Sequence, residues 1–423
     1  MTTPIRILFV SLTNDTGGER IVAEMGRSGG LCAVLAMANC LAMRSRFVAT
    51  RFVLPSWGGT YWASFLLHRH LTRVSKAWGP DIVVPLDEMT AVLLRNLAIE
   101  PRIPALLRDM LVRSLGDTEH YGIICSRGRL IELAGQLGVP TPAHARVGSL
   151  DMALAAARGL CFPVVLKRDL TSGNGGVVIA QSPGELARAF ASASRKAALK
   201  RFARRLCGLG EESGAALTLQ AFVTGQLAMH TVACWRGTVL EDVSFVAEKC
   251  HPAPIGSSTM LRWIDHDGMA RAAHILVAAL KCSGFVSFDF LLRPEGQAEL
   301  IEMNPRPIGS SHLGCLFGHD VFAALLAQLG GRDYRAPRAV LAQKHIIALF
   351  PKELESNPDS PALQAGSGIL HDVPYDDPEV LAAQLQKLAQ LHPAHGHRLR
   401  QIRPPQREKP QFVLNPHHLA TAK

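Results

Sequence analysis

Short apolar runs alternate with a helical pattern along the first 120 residues. Three runs, at residues 5–10, 47–54 and 81–84, each end at polar, glycine or proline positions, as buried parallel strands do. Residues 89–97 follow the third run and have the apolar spacing of a helix. Strands that alternate with helices predict a parallel sheet that binds ligands at the carboxyl ends of its strands. Residues 1–120 are therefore expected to form one α/β domain.

The middle of the chain has a different pattern. Helical spacing at 129–137 and 150–158 is followed by an apolar run at 162–167, a glycine-rich loop at 171–176 and a second run at 177–180. A long helical pattern then covers 187–206. Further strand patterns lie at 217–223, 229–235, 239–246 and 285–292. This part of the chain is expected to mix strands and helices in an α+β arrangement.

The last part of the chain is rich in proline. Residues 331–423 contain 11 of the 26 prolines, and proline interrupts helices and strands. One amphipathic helix is predicted near residues 380–391. We therefore expect a loosely built cap or tail.

Composition places the chain among folded globular proteins. It has 423 residues, of which 48% are hydrophobic and 19% charged, which predicts two or three domains and excludes a low-complexity chain. The formal net charge of +10 favours acidic partners. The nine cysteines include no Cys-x-x-Cys pair, so we expect reduced and mostly buried thiols.

We expect no membrane span and a cytoplasmic location. The longest apolar run, residues 31–43, contains Asn39 and is shorter than the roughly 20 residues of a membrane helix. The N-terminus has only Arg6 before a short apolar stretch at 7–10, unlike a secretory signal.

The clearest chemical signal is a predicted β-hairpin that carries acidic residues. Two alternating runs flank a turn centred on 294–297, which places Asp289 opposite Glu302 and puts Asn304 on the same face. Ile301 is expected on the opposite, apolar face. Two facing carboxylates repel unless a cation lies between them, and oxygen ligands of this kind suit Mg²⁺. An ordinary surface hairpin is the alternative, although the adjacent Arg306 also fits a phosphate site.

A second signal is Lys167 followed by the loop at 171–176. Glycine amides wrap phosphate oxygens, and a preceding lysine adds a point charge. The loop lacks the Gly-Lys-Ser/Thr of a Walker motif, and a strand follows it where a dinucleotide fingerprint requires a helix. Taken alone, a glycine loop between two strands is more often a plain hairpin.

A basic cluster lies near the end of the long helical pattern. RNA binding is one interpretation, but no interleaved aromatic residue offers a surface for base stacking. A solvated helix face is the preferred interpretation, and we expect no nucleic acid partner. The six cations of the cluster are Arg195, Lys196, Lys200, Arg201, Arg204 and Arg205.

Together these segments resemble the ATP-grasp superfamily, in its carboxylate-amine ligase branch. The resemblance extends from about Ser126 to Asp320. The segments that carry it are LGVPTP at 137–142, FPVVLK at 162–167, the glycine loop at 171–176, QAFVTG at 220–225, FDF at 288–290 and IEMNPR at 301–306.

The resemblance implies a particular domain layout. An α/β preATP-grasp domain over residues 1–120 would precede an α+β ATP-grasp domain over 121–330. A proline-rich C-terminal region would follow over 331–423. Within the ATP-grasp domain, a lid lobe over about 145–220 and a metal-binding lobe over about 221–325 would grip ATP.

The resemblance also assigns the nucleotide contacts. Lys167 would contact the phosphates, and Arg127 would take the place of a lysine that many members have. Ala221 replaces a glutamate that usually lies at the adenine hinge. The mobile phosphate lid would include Gly173, Gly175 and Gly176. The adenine hinge would include Gln220, Phe222 and Val223.

The resemblance implies ATP and Mg²⁺ as cofactors, with Mn²⁺ as an alternative metal. Asp289, Glu302 and Asn304 would be the metal ligands, and Arg306 would contact the transferred phosphate. Lys249 is a further candidate catalytic cation and is equally well interpreted as an ordinary surface residue.

The implied activity is ATP-dependent ligation. A small-molecule carboxylate would attack the γ-phosphate of ATP, and an amine would capture the acyl phosphate, releasing ADP and phosphate. A homodimer is compatible with this prediction. The alternative is a nucleotide-binding sensor or docking module without catalysis. Ala221 favours that alternative, and the intact set of metal and phosphate ligands argues against it.

Overall fold

The computed structural model describes residues 4–13, 17–55, 59–168, 176–206, 217–253, 256–342, 345–363, 367–399 and 402. The chain opens with a parallel sheet of strand order β3-β2-β1-β4. Its strands are β1 (Arg6–Val10), β2 (Leu31–Met37), β3 (Val48–Leu54) and β4 (Ile82–Pro85). The accompanying helices are α1 (Gly18–Arg27), α2 (Gly59–Trp78), α3 (Glu88–Ala98), α4 (Ala105–Leu115) and α5 (Tyr121–Ile124).

The N-terminal sheet contains a strand that the hydrophobic pattern did not separate. The sequence predicts β1, β3 and β4, but the run at 31–43 divides into β2, a turn and a short 3₁₀ helix at Leu41–Arg44. Asp87 then fixes the start of α3, because its carboxylate accepts hydrogen bonds from the backbone N–H of Thr90 at 2.8 Å and of Leu12 at 2.9 Å. This cap ties the carboxyl end of β1 to the first turn of α3.

A second, antiparallel sheet follows the connecting helix α6 (Arg127–Gln136). Its strands are β5 (His144–Val147), β6 (Val164–Arg168), β7 (Val177–Ala180) and β8 (Leu217–Ala221), in the order β5-β8-β6-β7. Two helices cover it, α7 (Leu150–Leu160) and α8 (Pro183–Leu206). Buried residues such as Val164, Leu166 and Leu219 give this lobe a hydrophobic core of its own. We call residues 144–221 the lid lobe.

The third sheet has seven strands in the order β13-β12-β9-β10-β11-β14-β15. The strands are β9 (Gln226–Trp235), β10 (Thr238–His251), β11 (Ser257–Ile264), β12 (Gly284–Leu292), β13 (Ala298–Asn304), β14 (Ile346–Ala348) and β15 (Ile369–His371). Helices α9 (Asp267–Ala279) and α10 (Val321–Leu329) pack against it. We call it the central sheet. One hydrophobic cluster joins it to the N-terminal domain, because Leu8 and Val10 belong to the same buried set as Val232 and Phe288.

The C-terminal region is built into the protein more closely than its proline content suggests. Strands β14 and β15 extend the central sheet instead of forming a loose cap, and β14 pairs with β11 through Leu261 and Ile347. The predicted amphipathic helix is present as α12 (Pro378–Leu391), between α11 (Lys352–Ser356) and α13 (Gly396–Leu399). Short 3₁₀ helices also occur at Thr118–His120, Ser311–Phe317, Pro361–Leu363 and Pro393–His395.

Within the described chain, no single helix is both long enough and apolar enough to cross a membrane. Only the bent pair at 311–317 and 321–329 reaches the required length and composition, and it does so only when its two helices are counted together.

A buried ion network joins the C-terminal region to the rest of the molecule. The carboxylate of Asp372 accepts hydrogen bonds from Arg20 of α1 and from His312 Nε2, the latter at 3.0 Å. Burial alone would raise the pKa of Asp372, but Arg20 and His312 hold that pKa at about 2, below the usual 3.8. The ionised carboxylate therefore stabilises the junction of three parts of the chain.

We predict that Asp372→Asn lowers the free energy of unfolding by roughly 3–5 kcal/mol, the cost of breaking a buried ion pair. Because the pKa of Asp372 is depressed on folding, its contribution is complete above about pH 4 and is lost as the pH falls towards 2. Urea unfolding at several pH values measures both effects. Asp376→Asn is the control, since Asp376 also pairs with an arginine but is 43% exposed, and it should cost at most about 1 kcal/mol. Equal losses in the two variants would contradict this assignment.

Candidate functional site

The acidic hairpin forms at the edge of the central sheet. Strands β12 and β13 pair with Asp289 opposite Glu302, the register that the sequence predicts. The turn closes with the Arg293 N–H donating to the Gln297 carbonyl at 2.8 Å. Asn304 shares the acidic face, because its Nδ2 donates to the Asp289 carboxylate at 3.0 Å. The two carboxylates and the carboxamide therefore lie together.

A β-bulge in this hairpin corrects one expectation. The pairing shifts between Asp289 and Phe290, which leaves Ile301 as an extra residue between Leu300 and Glu302. Ile301 therefore lies on the acidic face, although strict alternation predicts the opposite face. The bulge also leaves the Ile301 carbonyl available to accept a hydrogen bond from Lys167 Nζ at 3.0 Å.

Two cations from outside the hairpin meet the carboxylates. Lys167 of β6 in the lid lobe is 7% exposed, and its ammonium, bound to the Ile301 carbonyl, acts on both carboxylates through its charge. Arg127, the first residue of α6, donates from Nε to Glu302 at 2.9 Å and from another guanidinium nitrogen to the Arg168 carbonyl at 2.6 Å. Both cations therefore link the lid lobe to the central sheet through the acidic hairpin.

The ionisation of these groups is strongly perturbed. Burial lowers the pKa of Lys167 to about 8, and Arg127 adds to this effect while Glu302 and Asp289 oppose it. Burial, followed by repulsion from Glu302, raises the pKa of Asp289 to about 7, although Asn304, Arg306 and Lys167 oppose the rise. The protein thus holds two carboxylates close together at an energetic cost that a further cation would relieve.

The N-terminal domain positions a third cation. Arg306 follows β13, and its Nε lies 3.4 Å from the carboxylate of Glu88 in the first turn of α3. Arg95, further along α3, is 1% exposed and donates to the Pro305 carbonyl at 3.3 Å. Neither Glu88 nor Arg95 is predicted as a site residue from the sequence. A carboxylate directly after a parallel strand, as in Asp87-Glu88, was the signal that could have identified Glu88.

A cavity of about 710 Å³ lies against the acidic face. Its walls come from the N-terminal domain at Gly17 and Leu86, from the lid lobe at Lys167, and from the central sheet at Asp289 and Arg306. A volume of this size is ordinary for a small-molecule site, which typically measures roughly 300–1,000 Å³. The site is thus enclosed by three parts of the chain.

The predicted hinge also lies on this cavity. Gln220, Phe222 and Val223 line it, together with Ala221. Gln220 is 2% exposed, and within the described chain its Nε2 has no hydrogen-bond partner, so a buried donor is present at the hinge. Of the predicted glycine lid, Gly173 and Gly175 lie outside the described residues. Gly176 borders a separate, smaller cavity of the lid lobe.

Lys249 has a different contact from the one the sequence suggests. Its Nζ donates to Glu353 at 2.6 Å, and Glu353 is fully buried. Lys249 is not among the described residues that line the large cavity. The structure therefore does not bring Lys249 to the candidate site with Lys167, Arg127 and Arg306.

The donor set at the hairpin fits a hard divalent cation. Asp289, Glu302 and Asn304 supply carboxylate and carboxamide oxygens on one face, and Mg²⁺ prefers few oxygen ligands from the protein. Burial first, and repulsion from Glu302 second, raise the pKa of Asp289, so a cation on this face would favour its ionised form. These three residues are therefore suited to hold Mg²⁺.

No protein-family model matches the sequence. Solved structures nevertheless match it over most of its length. The biotin carboxylase domain of 2-oxoglutarate carboxylase from Hydrogenobacter thermophilus, in complex with MgADP, ADP and bicarbonate, is 14% identical, with a TM-score of 0.56. The match covers 78% of this chain and 71% of that one.

Two further structures agree with this match. N5-carboxyaminoimidazole synthetase from Staphylococcus aureus, in complex with ADP, is 14% identical with a TM-score of 0.55, over 80% of both chains. L-amino acid ligase from Bacillus licheniformis is 16% identical with a TM-score of 0.52, over 78% of this chain and 76% of that one. This chain therefore has the ATP-grasp fold, as the sequence resemblance implies.

The ion pair of Lys249 with the buried Glu353 is expected to stabilise the fold. Lys249→Ala should lower the free energy of unfolding by about 2 kcal/mol, because it leaves the Glu353 carboxylate buried without its cation. The loss should stay below that of a fully buried pair, since the Lys249 side chain is 37% exposed. Lys387→Ala is the control, because Lys387 pairs with Glu355 and is 57% exposed. Urea unfolding should show almost no change for that control, and an unchanged stability of Lys249→Ala would contradict a structural role for Lys249.

Proposed function

We propose that this protein is an ATP-dependent, Mg²⁺-requiring ligase that joins a carboxylate to an amine through an acyl phosphate. The observation that carries the proposal is that Lys167, Arg127 and Arg306 lie around the hairpin that carries Asp289 and Glu302, beside one cavity. Three cations and a metal-binding face are the groups that phosphoryl transfer needs, because the protein's main task in that reaction is to position and neutralise charge. The fold shared with a MgADP-bound carboxylase domain supports this proposal.

The nucleotide would extend from the hinge to the hairpin. Gln220 offers a buried donor at the hinge, and Phe222, which is 36% exposed, offers an aromatic surface there. Lys167 lies between the hinge strand and the acidic face, where its ammonium would contact phosphate oxygens in place of the Ile301 carbonyl. Burial lowers the pKa of Lys167. A bound phosphate would raise that pKa again, because a nearby negative charge favours the ionised ammonium.

The reaction would proceed in two steps, phosphoryl transfer and then amide formation. A substrate carboxylate oxygen attacks the γ-phosphorus, the bond from that phosphorus to the β-bridging oxygen breaks, and ADP leaves. The amine nitrogen then attacks the acyl carbon, the carbon–oxygen bond to phosphate breaks, and the amine loses a proton as the amide forms. Arg306 would neutralise the charge that develops on the transferred phosphoryl group, and Glu88 and Arg95 of the N-terminal domain would keep it in place.

The acidic face would hold the metal. Mg²⁺, when bound there, neutralises charge on the phosphate oxygens. Asp289 and Glu302 supply its anionic ligands and Asn304 a neutral one. Arg127, which contacts Glu302, would keep that carboxylate aimed at the site.

The first test of this proposal is ADP release. A panel of carboxylates and amines is incubated with ATP and Mg²⁺, and mass spectrometry identifies the amide product. We predict that Glu302→Gln lowers turnover at least a thousandfold, because a carboxylate ligand is lost at the reacting phosphate. Glu299→Gln is the matched control, since Glu299 lies on the same strand but pairs with Arg293, and it should keep near wild-type turnover.

Two results would contradict parts of this proposal. ADP release by Glu302→Gln at the wild-type rate would contradict the metal assignment. Nucleotide binding without turnover for every pair of substrates would contradict the ligase and support a non-catalytic nucleotide sensor.

The second test concerns Lys167. Lys167→Met should weaken ATP binding at least about tenfold, equivalent to roughly 1.4 kcal/mol for a lost charge-assisted contact. Lys281→Met is the control, because Lys281 pairs with Asp117 and its side chain is 55% exposed. Calorimetric titration with ATP and Mg²⁺ should show unchanged affinity for the control. If both variants bound ATP like the wild type, Lys167 would not be a phosphate ligand.

A further inference from the structure

The cavity is lined by charged residues at the acidic hairpin and mainly by apolar residues beyond it. Five charged residues line it among those that the structure describes, and four of them, Lys167, Asp289, Glu302 and Arg306, belong to the site described above. The fifth, Lys352, follows the wall residue Leu349 by three positions. The other described residues of that wall offer a substrate mainly apolar and small polar groups.

The floor of the cavity becomes apolar directly beside the metal-binding face. Asp289 of β12 is paired with Met229 of the neighbouring strand β9. Paired side chains lie on the same face of the sheet, so the apolar Met229 side chain lies next to the Asp289 carboxylate. Two strands further across the sheet, Leu261 of β11 lines the same cavity and is fully buried. Leu349 continues this floor, and its N–H donates to the Thr259 carbonyl of β11 at 2.8 Å.

The length of this apolar floor follows from the sheet. Strands β12 and β11 are separated by β9 and β10, which makes three spacings of about 4.8 Å, or roughly 14 Å in all. The floor is thus long enough for an extended chain of several carbon atoms beyond the phosphorylated carboxyl group.

The roof is apolar as well. Ile21 of α1 and Leu86 after β4 face the cavity from the N-terminal domain, and Ile308 faces it from the loop after Arg306. The two loops approach closely, because a Cβ on Gly17 would lie 2.9 Å from the Gly309 Cα. Gly17 also has a φ of +109°, a conformation that glycine adopts without strain.

We propose that the carboxylate substrate has an apolar body of several carbon atoms, held between the floor of Met229, Leu261 and Leu349 and the roof of Ile21, Leu86 and Ile308. This inference rests on the proposed function, which places the reacting carboxylate at Arg306 and the metal-binding face. An acid as small as bicarbonate has no group to contact these six side chains. An apolar acid gains affinity with each methylene that it buries there.

The experiment is a binding series that does not depend on turnover. Acetate, butanoate, hexanoate and octanoate are titrated calorimetrically into the full-length protein, with and without MgADP. We expect the affinity to rise about threefold to fourfold for each methylene until the cavity is filled. The control is 8-aminooctanoate, which has the length of octanoate but carries a terminal cation, and it should bind at least tenfold more weakly than octanoate.

Two variants test whether the apolar floor causes the dependence of affinity on chain length. Leu261→Ala should weaken octanoate binding about tenfold and leave acetate and MgADP binding unchanged. Leu291→Ala is the matched control at the nucleotide end of the same sheet face, and it should weaken MgADP binding while preserving the octanoate-to-acetate ratio. If Leu261→Ala does not fold, the half-buried Ile308→Ala replaces it, with the same expectation.

The outcomes separate this inference from the proposed function. An affinity that stays flat from acetate to octanoate, or equal binding of 8-aminooctanoate, would overturn the inference whatever the turnover. A steep gradient without ADP release for any amine would support the apolar pocket and contradict the ligase. ADP release that is fastest with bicarbonate or acetate would support the ligase and overturn the apolar pocket.

Discussion

The repulsion between Asp289 and Glu302 is the constraint on which the rest of the site depends. The β-ladder fixes these two carboxylates opposite each other, and burial denies them the solvation that would separate their charges. Such a pair persists only where cations face it, and the fold delivers those cations from different parts of the chain. Lys167 comes from the lid lobe, Arg127 from the connecting helix and Arg306 from the end of the hairpin.

The lid lobe and the N-terminal domain are joined to the hairpin in different ways. The lid lobe has a separate core and meets the acidic hairpin through polar contacts, whereas the N-terminal domain shares a continuous core with the central sheet. From α3 of the N-terminal domain, Glu88 lies beside Arg306 and Arg95 donates to the Pro305 carbonyl, so this domain positions the end of the hairpin.

Local patterns predicted those parts of the site whose residues are close in sequence. The alternation around one turn was enough to place Asp289 opposite Glu302 and Asn304 on their face. The same reasoning misplaced Ile301, because a bulge inserts one residue and no residue type in this hairpin marks it. The contact of Lys249 with Glu353 joins residues about a hundred positions apart, and Glu88 reaches Arg306 from another domain. Pattern reasoning has no access to such contacts until the fold is known.

The proposed function requires the hairpin's acidic face to bind a divalent cation together with a nucleotide phosphate. Electron paramagnetic resonance of Mn²⁺, titrated with and without ADP, measures this most directly. We predict that ADP tightens Mn²⁺ binding at least tenfold in the wild-type protein, and that Asp289→Asn combined with Glu302→Gln abolishes this coupling. Mn²⁺ binding that is independent of ADP, or equal coupling in the double variant, would contradict it.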